Sequence, residues 1–433
     1  MNPNAIAQPV AGIFSPQRTA LRLNSHGFSP SVQGKALRAS AREPSFQEAA
    51  AALADLAEVT ISSRQLNRLA VEVGHQLESL RNQQVEALRN QQLTPTVATR
   101  PAVAVVQVDG GRIRIRGQGD GPGAHKGAWR EDKFALLATA AITVSSSDPE
   151  PDLPDCFHDR AFVEGLVRGI AGQGPLSGPN PLPESPASPS PPDSNRQNRT
   201  RNRPELLVRT YVASMCPSEE FGPMVAVEAR KRNFEKAAHR VFVGDGSAWI
   251  WGLQKQYFPT FQTVVDFLHV LGHLFAAAKA AATTVEERWM LFQRWTEDCW
   301  KGRVGQVLAA LQTRQTELGP VPEDRMNDLA DDDPRKVLAQ ELGYLERNQS
   351  RMDYPTYRQQ GLPWTSSHIE STVKIFNRRV KGSEKFWGQT GAEAILQLRA
   401  AFLSEDDRLR QHLRARPCSP FRSYKVRGDR KAA

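Results

Sequence analysis

The spacing of apolar residues divides the chain into stretches of different period. Residues 1–43 show no clear period and are rich in Ser, Ala, Pro and Arg, which predicts disorder. From Pro44 the text becomes helical. SFQEAAAALADLAEV reads as a helix with Ser45 as N-cap and Glu48 completing a capping box. After a break at Thr60–Ser63, RQLNRLAVEVGHQLESLRNQQVEALRNQQL predicts a longer helix. This helical region, 44–93, is either a plain hairpin or a DNA-binding helix-turn-helix.

Past the linker Thr94–Pro101 the period becomes two. AVAVVQVDGGRIRIRG reads as a strand, a turn and a second strand, and WREDKFALLATAAITV continues as strand. HDRAFVEGLVRGIAG has helical spacing. Residues 172–204 carry nine prolines, too little apolar surface to order themselves, and form an exposed insertion within a domain. ELLVRTYVASM and the helix-like EEFGPMVAVEARKRNFEKA lead to a buried strand, HRVFVGD. SAWIWGLQKQYF is a short helix, FQTVVDF another strand, and LHVLGHLFAAAKAA opens a helical block. SSHIESTVKIFNRRVKG is one more helix. The strands fall at 101–269, the helical insertion at 270–358, a returning part of the core at 359–403 and a basic tail at 404–433. An α/β fold interrupted by a helical insertion is the economical architecture.

Composition narrows the function. No apolar run reaches the roughly 20 residues of a membrane-spanning helix, and no signal peptide is legible, so an intracellular protein with no membrane partner is expected. The four cysteines form no CxxC pair and imply neither structural zinc nor a disulfide framework. The formal charge is +9, and residues 371–433 hold 15 Lys or Arg against 6 Asp or Glu, which accounts for the whole excess. A basic end on an otherwise neutral chain fits a polyanion such as DNA, or a solubilising tail.

Three acidic residues stand where carboxylates of distant segments could meet: Asp109 in the first strand, Asp245 closing HRVFVGD, and Glu370 in the first turn of the last core helix. Such a trio can hold two divalent cations about 3.5–4 Å apart, and oxygen ligands favour Mg²⁺ or Mn²⁺. Each residue also has a plain structural reading. Val-Asp-Gly-Gly resembles a hairpin turn, GDGS a strand-to-helix turn, and Glu370 follows Ser367 at capping-box spacing. His269 and His273 stand four apart, but Val270 occupies the place of the general base of a zinc protease, which excludes that motif. Lys374, Arg378 and Lys381 follow Glu370 along one helical face, and Arg379, Lys385 and Trp387 extend a basic, stacking patch that could meet DNA or simply be solvated. Trp249, Trp251, Trp289, Trp295 and Trp300 read as core.

The strings VQVDGGRI, WREDKFALL, VFVGDGSAWIW, VVDFLHVLGHL, NQSRMDYPTYRQQGLPWTSSHIESTVK, RRVKGSEKFW and GAEAILQLRA, in this order, resemble the ISKra-type insertion-sequence transposases, distant relatives of the Mutator-like transposases. The resemblance spans about residues 44–413. It implies an RNase H-like mixed sheet with a helical insertion and an N-terminal helical region, and places an Asp-Asp-Glu triad on Asp109, Asp245 and Glu370. It further implies two Mg²⁺ or Mn²⁺ ions, transposon-end and target DNA as partners, a homodimer or higher assembly, and location at the bacterial nucleoid. Asp266 and His269 resemble an acidic residue and histidine that position DNA or support the site in related transposases; otherwise Asp266 caps a helix and His269 packs beneath it. The cysteine-based zinc element of many family members is not visible, and the Pro-rich insertion is unusual. An inactive DNA-binding remnant and a nuclease without strand transfer are the alternatives.

Overall fold

A computed structural model describes residue 23 and residues 27–117, 128–170, 204–319, 321, 328–382 and 385–415. The expected Pro-rich insertion lies outside the described residues except for Pro204, as does the tail beyond residue 415.

Five strands make one mixed sheet: β1 (Val103–Ile115), β2 (Ala128–Ala141), β3 (Glu205–Ser214), β4 (His239–Gly244) and β5 (Gln262–Val265), in the order β3-β2-β1-β4-β5. β1 pairs antiparallel with β2 and parallel with β4; β2–β3 is antiparallel and β4–β5 parallel. The chain is therefore α/β, with β1 at the sheet's centre. Both faces of the sheet are covered, and the alternation along β1 shows how. Val103, Val105 and Ile113 point into the larger core, Ala104, Val106 and Val108 into the smaller one.

One strand prediction is corrected. VDGG is not a turn: β1 runs unbroken through it, paired residue for residue with β2 from Val103↔Ala140 to Ile115↔Ala128. The glycines satisfy local turn statistics, but thirteen cross-strand pairs outweigh a local preference.

The smaller core is closed by α5 (Ser218–Lys231) and α6 (Ala248–Tyr257), counted after α1 (Pro30–Arg42), α2 (Phe46–Ala57), α3 (Ser63–Arg89) and α4 (Arg160–Ile170). The segment expected to be disordered through residue 43 thus contains a helix. Ser29 accepts from the Val32 amide and Pro30 opens α1. Its buried stripe is Gln33, Ala36, Leu37, Ser40 and Ala41, and the small and polar members hide the period from a hydrophobicity reading.

The larger core takes α1–α3 and the later helices: α7 (Phe267–Ala281), α8 (Val285–Trp300), α9 (Val304–Leu318), α10 (Pro334–Asn348), α11 (Tyr354–Gln359), α12 (Ser367–Val380), α13 (Gln389–Leu403) and α14 (Arg408–Ala415). α3 lies so close to α13 that a Cβ on Gly74 would stand 2.3 Å from the Ala394 carbonyl oxygen. Trp295 and Trp300 are fully buried, as core residues should be, and Trp289 packs against the same core from a partly buried position.

The helical insertion is fastened to the sheet by tyrosines. Tyr354 and Tyr357 donate their hydroxyls to the carbonyls of Val265 and Thr263 on the edge strand β5. These bonds satisfy groups that an open sheet edge would leave for another chain. Among the described residues no helix is long and apolar enough to cross a membrane.

Candidate functional site

Strand register brings the first two acids together. β1 and β4 pair from Val103↔His239 to Gln107↔Val243. Asp109 lies two residues beyond the last of these pairs and Asp245 just past the end of β4 at Gly244, near enough for Asp245 to act on the Asp109 carboxyl. Neighbouring strands lie about 4.8 Å apart. Asp109, inside β1, shares the parity of Val103 and Val105 and so lies on the side of the larger core.

Glu370 lies in the first turn of α12, and buried polar bonds fix the place of that turn. On β1 the fully buried Gln107 donates from Nε2 to the Thr365 carbonyl at 3.3 Å and accepts the Ile369 amide on Oε1 at 3.1 Å. Phe267 N–H donates to the Trp364 carbonyl, and Ser366 Oγ to Asp266 Oδ2 at 2.6 Å. The first turn of α12 is thereby tied both to β1 and to the start of α7. Glu370 does not cap the helix through Ser367; the N-cap is Ser366, without a side-chain cap bond.

Beside the acids sits an ion pair. Asp266 is fully buried and N-caps α7, its Oδ1 accepting from the Leu268 amide. Its Oδ2 takes His269 Nδ1 at 2.8 Å, while His269 Nδ1 lies 4.0 Å from Glu370 Oε1. Burial works against a charged imidazole, but Asp266, Glu370 and Asp109 outweigh it and raise His269 to about 10. Asp266 is lowered despite its burial, because His269 and Ser366 bond to it. The pair is therefore charged at neutral pH.

Asp109 and Glu370 feel the same imidazole without a hydrogen bond to it. Burial raises Asp109 to about 6, with His269 opposing and Asp245 and Asp266 adding to the rise. Glu370 is raised to about 7 by burial and by Asp266 and Asp109, against His269 and Lys374. Glu370 Oε1 is buried without a hydrogen-bond partner. Asp109 Oδ1 accepts the amide of its own neighbour Gly110, and Asp245 Oδ1 that of Ser247, both at 2.7 Å.

The insertion closes the site from a third side. Tyr344 of α10 donates its hydroxyl to the Asp245 carbonyl at 2.8 Å. Gly246, at φ +99°, lets the chain turn beneath that ring; a Cβ there would stand 2.4 Å from it.

Asp266, His269 and Glu370 bring three ligand atoms within 4.8 Å of one another. Asp266 is nevertheless a poor ligand, since both its oxygens already accept hydrogen bonds. Asp109, Asp245 and Glu370 do not form so close a group among the described residues, but their oxygens, which no Lys or Arg occupies with an ion pair there, are of the hard type that suits Mg²⁺ or Mn²⁺.

The basic patch divides. Lys374 and Arg378 are exposed on α12 and Lys381 is half-buried at its end. Arg379 is a correction: it is buried, donates to the carbonyls of Ser40 and Pro44, and lies over Phe46. Nine residues past Glu370 is about half a turn out of phase on a helix, so Arg379 points to the opposite face. Lys385 Nζ donates to the Arg378 carbonyl at the end of α12. Trp387 donates to the Val380 carbonyl, bridges Ile115 and packs against Arg379, so its ring is used internally.

Sequence reasoning missed Gln107, Ser366 and Tyr344. Gln107 alone carried a signal: a polar residue at a core-facing position of an otherwise apolar strand. No protein-family model matches this chain, and no curated protein matches it.

Proposed function

We propose that this chain is an RNase H-like DNA transposase in which Asp109, Asp245 and Glu370 hold two divalent cations. The observation that carries the reading is the arrangement: Asp109 on the central strand β1, Asp245 just past the end of its parallel neighbour β4, and a glutamate in a helical turn tied to β1 through Gln107. The resemblance of the sequence to ISKra-type transposases supports the same assignment. Two such cations supply activation of an attacking oxygen and stabilisation of a leaving one.

The chain's own residues do the rest. The carboxylates of Asp109, Asp245 and Glu370 give the anionic cradle, and the His269 imidazolium, held by Asp266, attracts Asp109 and Glu370. Gln107 and Ser366 fix the turn that carries Glu370. Lys374 and Arg378 offer exposed cations on the same helix for the phosphate backbone of transposon-end and target DNA. Joining two ends calls for a homodimer or larger assembly on DNA.

The test is cleavage and strand transfer by the full chain with Mg²⁺, on DNA carrying the ends of the element that encodes it. Joined product with wild type, and none with Asp109→Asn, is the expected result. Cleavage without joining would make the protein a nuclease; inactivity with all three acids intact would make it a DNA-binding remnant.

A further inference from the structure

A fourth acid lies beside the three. β2 carries Asp132 opposite Gly111, two positions along from the pair Asp109↔Phe134. Paired residues of an antiparallel ladder point to the same side, so Asp132, Phe134, Asp109 and Gly111 share one face. Asp132 and Asp109 are diagonal neighbours there, about 7–8 Å apart, close enough for their carboxyls to lean together.

The surroundings of Asp132 are unusual for a structural acid. It is fully buried, and no residue other than its own backbone amide donates to its oxygens. Its carboxyl lies over the bare backbone of Gly111, where an added Cβ would come 2.7 Å from Oδ1 and 3.0 Å from the Phe134 ring. Glycine therefore keeps open the space on the β1 side that the carboxyl occupies. The charged groups acting on it are Lys381, which attracts, and Asp109 and Glu131, which repel. Next along the strand, Glu131 is paired with Lys133 at 2.7 Å. Asp132 has the greater need and lacks such a bond.

Burying a carboxyl without a donor from another residue costs free energy that a folded protein retains only for a return elsewhere. We propose that Asp132 is a fourth carboxylate of the site, an oxygen ligand to a divalent cation held beside Asp109. This rests on the two-cation reading of Asp109, Asp245 and Glu370. Burial also raises Asp132 to about 7, in keeping with an acid that has no cation bonded to it.

The test uses Mn²⁺ alone, the full chain and no DNA, with affinity and stoichiometry from calorimetry and melting curves in EDTA and in Mn²⁺. Asp132→Asn should melt in EDTA at or above the wild-type temperature, because a buried charge is gone. It should bind Mn²⁺ at least tenfold more weakly, or bind one ion fewer, and show a smaller Mn²⁺-induced rise in melting temperature. Should Asp132→Asn not fold, Gly111→Ala keeps the charge but displaces the carboxyl, and it too should weaken Mn²⁺ binding. Wild-type affinity and stoichiometry in whichever variant folds overturns the proposal. Loss of Mn²⁺ by Asp109→Asn with retention by Asp132→Asn overturns only the fourth ligand; a wild type that binds no Mn²⁺ overturns the site reading with it.

Discussion

Two groups of buried acid in this molecule meet opposite fates. Glu228, on α5, is almost wholly buried, and Arg408 grips both its oxygens at 3.0 and 2.6 Å, with Lys231 near by. Burial alone would raise its pKa, but these cations outweigh it and bring it down to about 2. Asp109 and Glu370, partly buried at the central site, are bonded by no lysine or arginine among the described residues and are raised to about 6 and about 7. The chain neutralises a buried carboxylate where the acid serves only the fold. In the central site Asp266 has its histidine, but Asp109 and Glu370 are left without a bonded cation, as the proposed function requires.

The largest effect should come from removing a bare acid. Asp109→Asn or Glu370→Gln should reduce DNA cleavage by more than the about 100-fold that an outer supporting partner is worth, measured as single-turnover rates in Mg²⁺. His269→Ala, which removes such a partner, should cost about 10–100-fold in the same assay. Equal losses from both kinds of change would erase the distinction between ligand and support.

On the other side of the comparison, Arg408→Met strips the paired acid of its partner. Urea denaturation should show a loss of about 3–5 kcal/mol, and Glu228→Gln added to it should recover much of that. An unchanged midpoint in the single variant would mean that Glu228 was never held by Arg408.

The two regions should also titrate in opposite senses. Carboxyls with raised pKa are protonated in the folded state while the unfolded chain has already lost its protons, so apo stability should fall as pH rises from about 4 through 7. Glu228, lowered to about 2, contributes stability above its unfolded value of 4.5 that is lost as pH falls towards 2. Melting temperatures in EDTA should therefore peak in weakly acid solution, and Mg²⁺ should restore the loss on the alkaline side. A shallower slope between pH 5 and 8 in Asp109→Asn combined with Glu370→Gln than in the wild type would assign the difference to these two acids, the remainder belonging to Asp132 and His269, which are raised as well. The smallest change is Tyr344→Phe, which removes one hydrogen bond to the Asp245 loop and should cost about 1 kcal/mol by urea denaturation.

Much of this was legible in the chain. HRVFVGD is a short apolar run with an acid at its end, and the strand, its burial and the place of Asp245 follow from that alone. Asp109 was harder, because Val-Asp-Gly-Gly satisfies a turn locally and only the long ladder with β2 overrules it. Asp132 was not legible at all. It lies in the charged run Arg130-Glu-Asp-Lys, which reads as solvated, and its burial comes from tertiary packing that no local pattern encodes. Arg379 failed for a related reason. It belongs to a basic string, yet helical phase turns it towards the carbonyls of Ser40, on a helix whose small and polar buried residues hide its period, and of Pro44 just beyond that helix.

The tyrosine bond from α10 to the Asp245 carbonyl bears on how the protein can be taken apart. An interruption in a sheet fold invites excision to leave a minimal catalytic fragment. Here the interruption buttresses the loop of one acid and the edge strand behind it, so a chain joined directly from Ala281 to Tyr354 would retain every acid and lose one of the supports that aim them.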